Sequence, residues 1–291
     1  MSETGHGLER IGFGPFFADQ VAKLDAGFVP ARIAIAHGES YVAWTEAGVC
    51  KAMIVGRRLA EWQTPGDRPC VGDWVVGVRS GELDALVIER RLERRTCLVR
   101  QASADRPELQ VIAANVDVVG IVSALGDGED AKQERWLVNE DRLRRYLAAV
   151  EHSGARPLLV LNKCDLHRDP GAVTARLGEA FPGVPIVALS GAQRTGLEGL
   201  APCLSAGETL VLVGMSGVGK STLVNALLGR QAQRVAEVRE SDDRGRHTTT
   251  HRELFALDGG ALLIDTPGMR EMTLWESSDG HRHRGRRSRR R

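Results

Sequence analysis

The sequence predicts an α/β P-loop domain whose nucleotide motifs stand in circularly permuted order, preceded by a small β-barrel of the OB type. Four short segments predict the permuted P-loop domain: Asn162-Lys163-Cys164-Asp165, then Ala188-Leu189-Ser190, then a glycine loop at 214–221, then Asp265-Thr266-Pro267-Gly268. Such domains usually open with the glycine loop and close with the first two segments. Here the base-reading half comes first. Strand-like runs within residues 31–91 predict the β-barrel.

The runs that predict the barrel are short, apolar and separated by glycine turns. Five strands in about 60 residues are typical of a closed OB barrel, whose outer face often binds single-stranded or folded RNA. We expect an N-terminal arm at 1–30 and the barrel at 31–100. The runs cover residues 31–36, 41–45, 49–55, 72–78 and 85–91.

Two groups of barrel side chains are candidates for contacts with nucleic acid. Three tryptophans are either stacking platforms for bases or core residues, and the core is favoured because period-two aromatics in a small barrel usually face inward. An arginine cluster either follows phosphates or forms a solvated edge. The residues concerned are Trp44, Trp62 and Trp74, and Arg90, Arg91, Arg94 and Arg95.

Alternating strands and helices predict one layered α/β domain at 105–275. Residues 139–150 have the spacing of an amphipathic helix. Apolar runs predict strands at 109–113, 116–122, 157–161, 184–188, 209–213 and 261–264.

The glycine loop Gly214-Met215-Ser216-Gly217-Val218-Gly219-Lys220-Ser221 fits the pattern G-x-x-x-x-G-K-[ST]. A buried strand precedes it, and a helix that ends near Gly229 follows it. Backbone N–H groups of the loop and the helix N-terminus suit phosphate oxygens. We expect Lys220 to reach the β- and γ-phosphates and Ser221 to ligate Mg²⁺.

The segment Asn162-Lys163-Cys164-Asp165 selects guanine. The Asp165 carboxylate can accept hydrogen bonds from N1–H and the exocyclic amine of guanine, a donor pair that adenine lacks. We expect Asn162 to tie this segment to the glycine loop and the Lys163 stem to cover the base. The backbone of Ala188, Leu189 and Ser190 is expected to contact guanine O6. The sequence therefore predicts a site for GTP and GDP.

Residues near the end of the domain are expected to handle the γ-phosphate. Asp265 would hold Mg²⁺ through a water, and the Gly268 N–H would sense the γ-phosphate. The polar stretch 241–251 predicts a mobile switch loop. Within it, Thr249 is favoured over Thr248 and Thr250 as a further Mg²⁺ ligand.

The residue that orients the attacking water is harder to assign. Many GTPases place a Gln just after the Asp-x-x-Gly segment, but Met269 occupies that position. His247 or His251 is a candidate for this role, although solvated surface histidines are the simpler interpretation. We expect slow intrinsic hydrolysis that a partner stimulates.

Composition bounds the class of protein. Five scattered cysteines without a C-x-x-C pair indicate reduced thiols, and no apolar run approaches a membrane span, so we expect a cytoplasmic monomer away from membranes. Residues 281–291 carry seven arginines and no acid, which leaves 32 basic and 38 acidic side chains in residues 1–280. The tail at 276–291 is expected to be disordered. It either binds phosphate backbones without sequence preference or has no selected role.

The barrel, the permuted order, Gly72-Asp73-Trp74-Val75 and Arg246-His247-Thr248-Thr249-Thr250 together resemble the RsgA/YjeQ family of GTPases that depend on the small ribosomal subunit. The resemblance covers about residues 30–275. It implies late maturation of the 30S subunit, 16S rRNA binding by the barrel and GTP hydrolysis stimulated by the subunit. It also implies nucleotide roles for residues 162–165 and 214–222, which adds Thr222.

The end of the chain departs from this family. Its members continue into a helical domain with a Cys/His zinc site, but no cysteine follows Cys203, so we expect this chain to lack the zinc ligands. A frameshift or early stop would explain the arginine-rich end. Two alternatives to a GTP-hydrolysing assembly factor stay open: an RNA-binding module that binds GTP but has its hydrolysis uncoupled by loss of the zinc domain, and an ATP-dependent P-loop enzyme.

Overall fold

A computed structural model of the chain describes residues 7–24, 26–62, 66–103, 106–127, 137–229 and 252–266. Within this part, the strands of an OB-type barrel are followed by those of a parallel α/β sheet. None of the described helices combines the length and the apolar character that a membrane span requires.

Five strands form the barrel in the order β1-β2-β3-β5-β4, and β4 closes it by pairing with β1. β3 and β5 run parallel, whereas the other neighbours are antiparallel. Side chains alternate between the two faces of a strand, so Tyr41 and Ala43 on β2 both point into the barrel core and are buried. The strands are β1 (Val29–His37), β2 (Ser40–Thr45), β3 (Gly48–Met53), β4 (Trp74–Ser80) and β5 (Ala85–Arg91), with helix α2 (Gly56–Glu61) between β3 and β4.

The N-terminal arm packs through an aromatic cluster on the face of β4 that points away from the barrel core, since Trp74 and Val76 belong to this cluster and Val75 to the core. Helix α1 (Pro15–Val21) follows a 3-10 turn, and the rings of Phe13 and Phe17 lie 4.7 and 5.7 Å from the ring of Trp74. Trp74 is fully buried, so the stacking interpretation is wrong for this tryptophan. Trp44 also packs, half-buried, against this cluster, and Trp62 against the barrel core.

Three arginines of the expected basic cluster make contacts within the protein, and the first of them, Arg91, donates to the carbonyl of Gly66 at 2.9 Å. The Arg94 guanidinium donates two hydrogen bonds of 2.7 Å to the carboxylate of Asp73, which has no exposed surface. Arg95 forms an ion pair with Asp117. Arg94 therefore has a structural role in place of both alternatives, whereas the Arg95 side chain is 48% exposed and its ion pair leaves both alternatives open.

A six-stranded sheet forms the second unit in the order β10-β9-β8-β11-β13-β12. All neighbours are parallel except β12, which is antiparallel to β13. Two apolar clusters pack on it, one containing α3 and α4 residues and the other α5 residues, so the unit has three layers. Its elements are β8 (Val118–Ala124), α3 (Glu140–Ser153), β9 (Arg156–Asn162), α4 (Pro170–Ala180), β10 (Ile186–Ala188), β11 (Thr209–Val213), α5 (Lys220–Leu228), β12 (Glu253–Ala256) and β13 (Leu262–Asp265).

A hairpin joins the two units. Among the described strands, β6 (Cys97–Ser103) and β7 (Arg106–Ala114) pair only with each other, although β6 begins inside the range expected for the barrel. The sequence predicted only residues 109–113 of this hairpin. Direct pairing of Ile35 on β1 with Glu253 on β12 also makes the barrel continuous with the α/β sheet.

Arg32 on β1 connects four separate segments from a buried position, with 1% of its surface exposed. Its guanidinium donates to the carbonyl of Ile11 (2.6 Å), the carbonyl of Asn115 (3.1 Å) and the hydroxyl of Thr209 (2.7 Å). Its Nε also donates to the carbonyl of Gly72 at 3.4 Å. Burial lowers the pKa of Arg32 to about 10, so it is still charged at neutral pH.

Gly72 provides a test of the contact between the units. It has φ of +90°, and an added Cβ would overlap the carbonyl oxygen of Ala114. We expect Gly72→Ala to lower the free energy of unfolding by about 3 kcal/mol or more, because it adds this overlap to the backbone strain. Gly38→Ala is the matched control, since Gly38 also has positive φ (+60°) but open space around it, and should cost only about 1 kcal/mol. Equal losses in urea unfolding would contradict the tight contact.

Candidate nucleotide-binding site

The carboxyl ends of neighbouring parallel strands bring the sequence motifs to one edge of the sheet. β9 ends at Asn162, β10 at Ala188, β11 at Val213 and β13 at Asp265. Ligands of open α/β sheets bind at this edge. Position in the sheet, rather than position along the chain, therefore assembles the site.

The glycine loop joins a fully buried strand to a helix whose first residues are accessible. All five β11 residues are buried, whereas Ser216, Gly217, Ser221 and Thr222 are exposed. Gly219 precedes α5 with φ of +91°, and a Cβ there would overlap the Asn162 amide nitrogen. Only glycine allows this approach of the loop to the neighbouring strand end.

Asn162 joins three of the motifs through its buried side-chain amide. Its Nδ2 donates to the carbonyl of Val218 at 2.8 Å, and its Oδ1 accepts from the backbone N–H of Gly191 at 2.9 Å. The first bond reaches the glycine loop, and the second reaches the loop after β10. Both polar ends of a side chain with 2% exposure are thus satisfied.

Two lysines donate to carbonyls of the glycine loop. The Lys220 ammonium lies 2.7 Å from the carbonyl oxygens of Gly214 and Met215, and the Lys163 ammonium lies 2.9 Å from that of Gly217. Burial lowers the pKa of Lys220, because the charged form is partly removed from water. An anion bound at the loop would stabilise this charge.

The residues expected to read the base lie on adjoining loops. Asp165 is exposed, in a 3-10 turn directly after Lys163. The N–H of Cys164 donates to the carbonyl of Leu189 at 3.2 Å, and Ser190 is fully buried. The carboxylate expected to read guanine is therefore next to the loop expected to contact O6.

Asp265 and Ser221 supply the oxygen ligands expected for Mg²⁺. Asp265 is the last residue of β13, and Ser221 follows the loop after β11, the parallel neighbour of β13. Burial raises the pKa of the Asp265 carboxyl, against a smaller opposing effect of a hydrogen bond with the Thr266 backbone. A bound cation would stabilise the ionised form, and a carboxylate and a hydroxyl are ligands that suit Mg²⁺. Thus the residues present fit this metal.

Several expected site residues lie outside the described part of the chain. Among the described residues, no group of three or more His, Cys, Asp or Glu side chains has an arrangement that could hold a metal ion. The site residues outside this part are His247, Thr249, His251 and Gly268.

Sequence reasoning missed two residues of the loop after β10. Gly191 donates to Asn162, and its position directly after Ser190 in a Ser-Gly turn was the available signal. Arg194 donates to the carbonyl of Ala226 on α5 at 3.0 Å. No spacing in the sequence predicts this second contact.

Comparisons with known families and proteins agree with the fold and the motifs described above. The sequence profile of a family described as RsgA GTPase matches residues 91–275. A protein of Opitutus terrae named small ribosomal subunit biogenesis GTPase RsgA is 42% identical over 277 residues, which cover 92% of this chain and 73% of that protein. Proteins of the same name from Methanosarcina acetivorans and Streptomyces coelicolor are 43% and 39% identical, covering 80% and 96% of this chain and 62% and 74% of their own lengths.

Two solved structures share the fold. YjeQ from Thermotoga maritima superposes with a TM-score of 0.59 at 24% identity, over 83% of this chain and 75% of that one. YloQ, described as a circularly permuted GTPase, superposes with a TM-score of 0.57 at 22% identity, over 85% and 74% of the two chains. The predicted fold class, a permuted α/β P-loop GTPase domain behind an OB-type barrel, is confirmed.

Asn162 gives a test of how the loops are held together. Asn162→Ala leaves the Val218 carbonyl and the Gly191 N–H without their partner, so we expect a loss of about 1–3 kcal/mol in the free energy of unfolding without nucleotide. Asn225→Ala is the control, because Asn225 is exposed on α5 and should change stability by less than about 0.5 kcal/mol. Equal unfolding midpoints for Asn162→Ala and the unmodified chain in urea would refute this role.

Proposed function

Because this chain belongs to the RsgA family of GTPases, we propose that it binds GTP at the site above, hydrolyses it to GDP and phosphate, and acts in biogenesis of the small ribosomal subunit. The observation that carries this proposal is the Asn162 amide, which holds a phosphate-type loop beside a guanine-type loop. A P-loop alone suits ATP as well as GTP. The adjoining Asp165 makes guanine the better fit.

Each nucleotide residue has a role that follows from its position. Lys220 would exchange its bonds to loop carbonyls for the β- and γ-phosphates, because a phosphate oxygen is the stronger acceptor. Asp165 would accept from guanine while the Lys163 stem covers the base. The backbone at residues 188–190 would contact O6. The loop residues 214–219, together with Thr222, would surround the phosphates.

Magnesium belongs to this proposal through Ser221, Asp265 and Thr249. When bound, the ion neutralises charge that develops on the transferred phosphoryl group. Gly268 would sense the γ-phosphate, and His247 or His251 would orient the attacking water. These assignments rest on motif position in the sequence.

Domain boundaries and partners complete the proposal. We assign an arm to residues 1–30, the barrel to 31–100, the GTPase domain to 105–275 and a tail to 276–291. The barrel would bind 16S rRNA, and its closed OB topology and the exposed Arg90 support this. We place the protein in the cytoplasm as a monomer.

Asp165→Asn tests the base specificity. The change removes two hydrogen bonds to an ionised acceptor, so we expect GDP affinity to fall about 100-fold or more while affinity for xanthosine diphosphate rises. Competition against a fluorescent guanine nucleotide measures both constants. An unmodified chain that bound ADP as tightly as GDP would contradict the guanine site and favour an ATP-dependent enzyme.

GTP turnover with and without purified 30S subunits, across a salt series, tests the activity and the partner together. We expect 30S subunits, but not 50S subunits, to stimulate turnover of the unmodified chain. Lys220→Ala removes the phosphate contact and Ser221→Ala the Mg²⁺ ligand, so both should abolish turnover, with Asn225→Ala as an active control. Turnover that 30S subunits leave unchanged would indicate a GTP-binding module uncoupled from the subunit.

A further inference from the structure

The loop between Ser190 and Thr195 is a closed turn with an arginine in an unusual backbone conformation. Ser190 and Thr195 exchange backbone hydrogen bonds of 2.9 and 3.2 Å, and the Ser190 hydroxyl accepts from the Gln193 N–H at 3.1 Å. Arg194 has φ of +56°, a region that non-glycine residues seldom adopt. These bonds make the turn a defined unit.

This turn lies against α5 at two points. At its start, the backbone of Gly191 approaches the first part of the helix so closely that an added Cβ would lie 3.1 Å from the backbone nitrogen of Leu223. At its tip, Nη2 of Arg194 donates to the carbonyl of Ala226 at 3.0 Å. The same nitrogen would lie 3.4 Å from a Cβ at Gly229, where the helix ends.

The chemistry of the contact between Arg194 and the Ala226 carbonyl favours a stable interaction. Carbonyl groups in the last turn of a helix lack intrahelical partners and carry the negative end of the helix dipole. A guanidinium is well suited to this position, because it is always charged and offers several donors in a fixed plane. Arg194 is exposed, so its contribution to overall stability is small, but it holds the turn in one place on α5.

The two ends of this contact belong to different parts of the proposed nucleotide site. The turn continues directly from residues 188–190, which would contact guanine O6, whereas the N-terminus of α5 would bind the phosphates. A ligand that spans two subsites gains affinity from the second only when the spacing of the subsites matches its length. The contact between Arg194 and Ala226 joins these two parts of the site, in addition to the bonds of Asn162.

We propose that Arg194 is a positioning residue that fixes the guanine-reading loop on α5 and thereby couples recognition of the base to recognition of the phosphates. This inference rests on the proposed guanine-nucleotide function. It predicts a selective effect: loss of the Arg194 side chain weakens ligands that reach both subsites, but not ligands that reach only the phosphate loop.

The test compares two ligands on the full chain. Affinities for GDP and for inorganic pyrophosphate are measured by competition for Arg194→Ala and Arg194→Gly. Glycine adopts positive φ without strain, so the second variant removes the side chain while relaxing the backbone. We expect GDP affinity to fall about 3- to 10-fold in both variants, and pyrophosphate affinity to change less than about 2-fold.

Two further variants define the chemistry and the background. Arg194→Lys keeps the charge but loses the planar donor group, so its GDP affinity should lie between those of Arg194→Ala and the unmodified chain. Arg145→Ala removes an exposed arginine of α3 and should leave both ligands unaffected.

Each result of these affinity measurements supports or contradicts a specific statement about Arg194. Equal weakening of GDP and pyrophosphate would overturn the inference, because Arg194 would then act through the phosphate loop or general stability. Unchanged GDP affinity in both Arg194 variants would also overturn it, while leaving the proposed function intact. If the unmodified chain failed to bind GDP, the proposed function itself would fall, and this inference with it.

Discussion

One buried amide holds the two halves of the nucleotide site together. Asn162 ends β9, and its side chain reaches both the glycine loop after β11 and the loop after β10. The sheet places these loops side by side because β8 separates β9 from β11 by only one strand. A permuted chain therefore builds the same edge of the sheet, since neighbouring strands and a few side-chain contacts define the site whatever the order of the segments.

A second buried polar contact relates the barrel to this site. Arg32 on β1 donates to Thr209, the first residue of the strand that leads into the glycine loop. The same guanidinium holds the N-terminal arm through Ile11. The hydrogen-bond partners of Arg32 are neutral oxygens, and the nearby carboxylates of Asp117 and Asp73 also favour its charged form. The barrel and the nucleotide domain thus share one polar core as well as a continuous sheet.

Sequence reasoning succeeded where one local pattern determined the structure. Uniform apolar runs predicted β8, β9, β11 and β13, because strands of a covered parallel sheet are buried on both faces. It missed β12, since four residues of mixed character carry no clear period. It also missed the short helices α1 and α2.

Long-range contacts were beyond what the sequence could predict. The partners of Arg32 come from residues 11, 72, 115 and 209, so its burial depends on the complete fold. The same holds for Arg94, whose partner Asp73 is 21 residues away, and for Arg194, whose partner Ala226 lies on α5. The nucleotide motifs were recognisable because their chemistry lies within short segments, whereas the contacts that position them join distant ones.

The permuted order also determines when each part of the site is made during protein synthesis. A nascent chain emerges from its N-terminus at about 5–20 residues per second, and the two hydrogen-bonded residues Asn162 and Val218 are 56 positions apart. Asn162 is therefore synthesised roughly 3–11 s before Val218. One edge of β8 stays unpaired until β11 has been made. In a GTPase with the usual order, the phosphate loop is among the first segments made. Here it lies about two thirds of the way along the proposed domain at 105–275, so the new chain can bind nucleotide only after this point in translation.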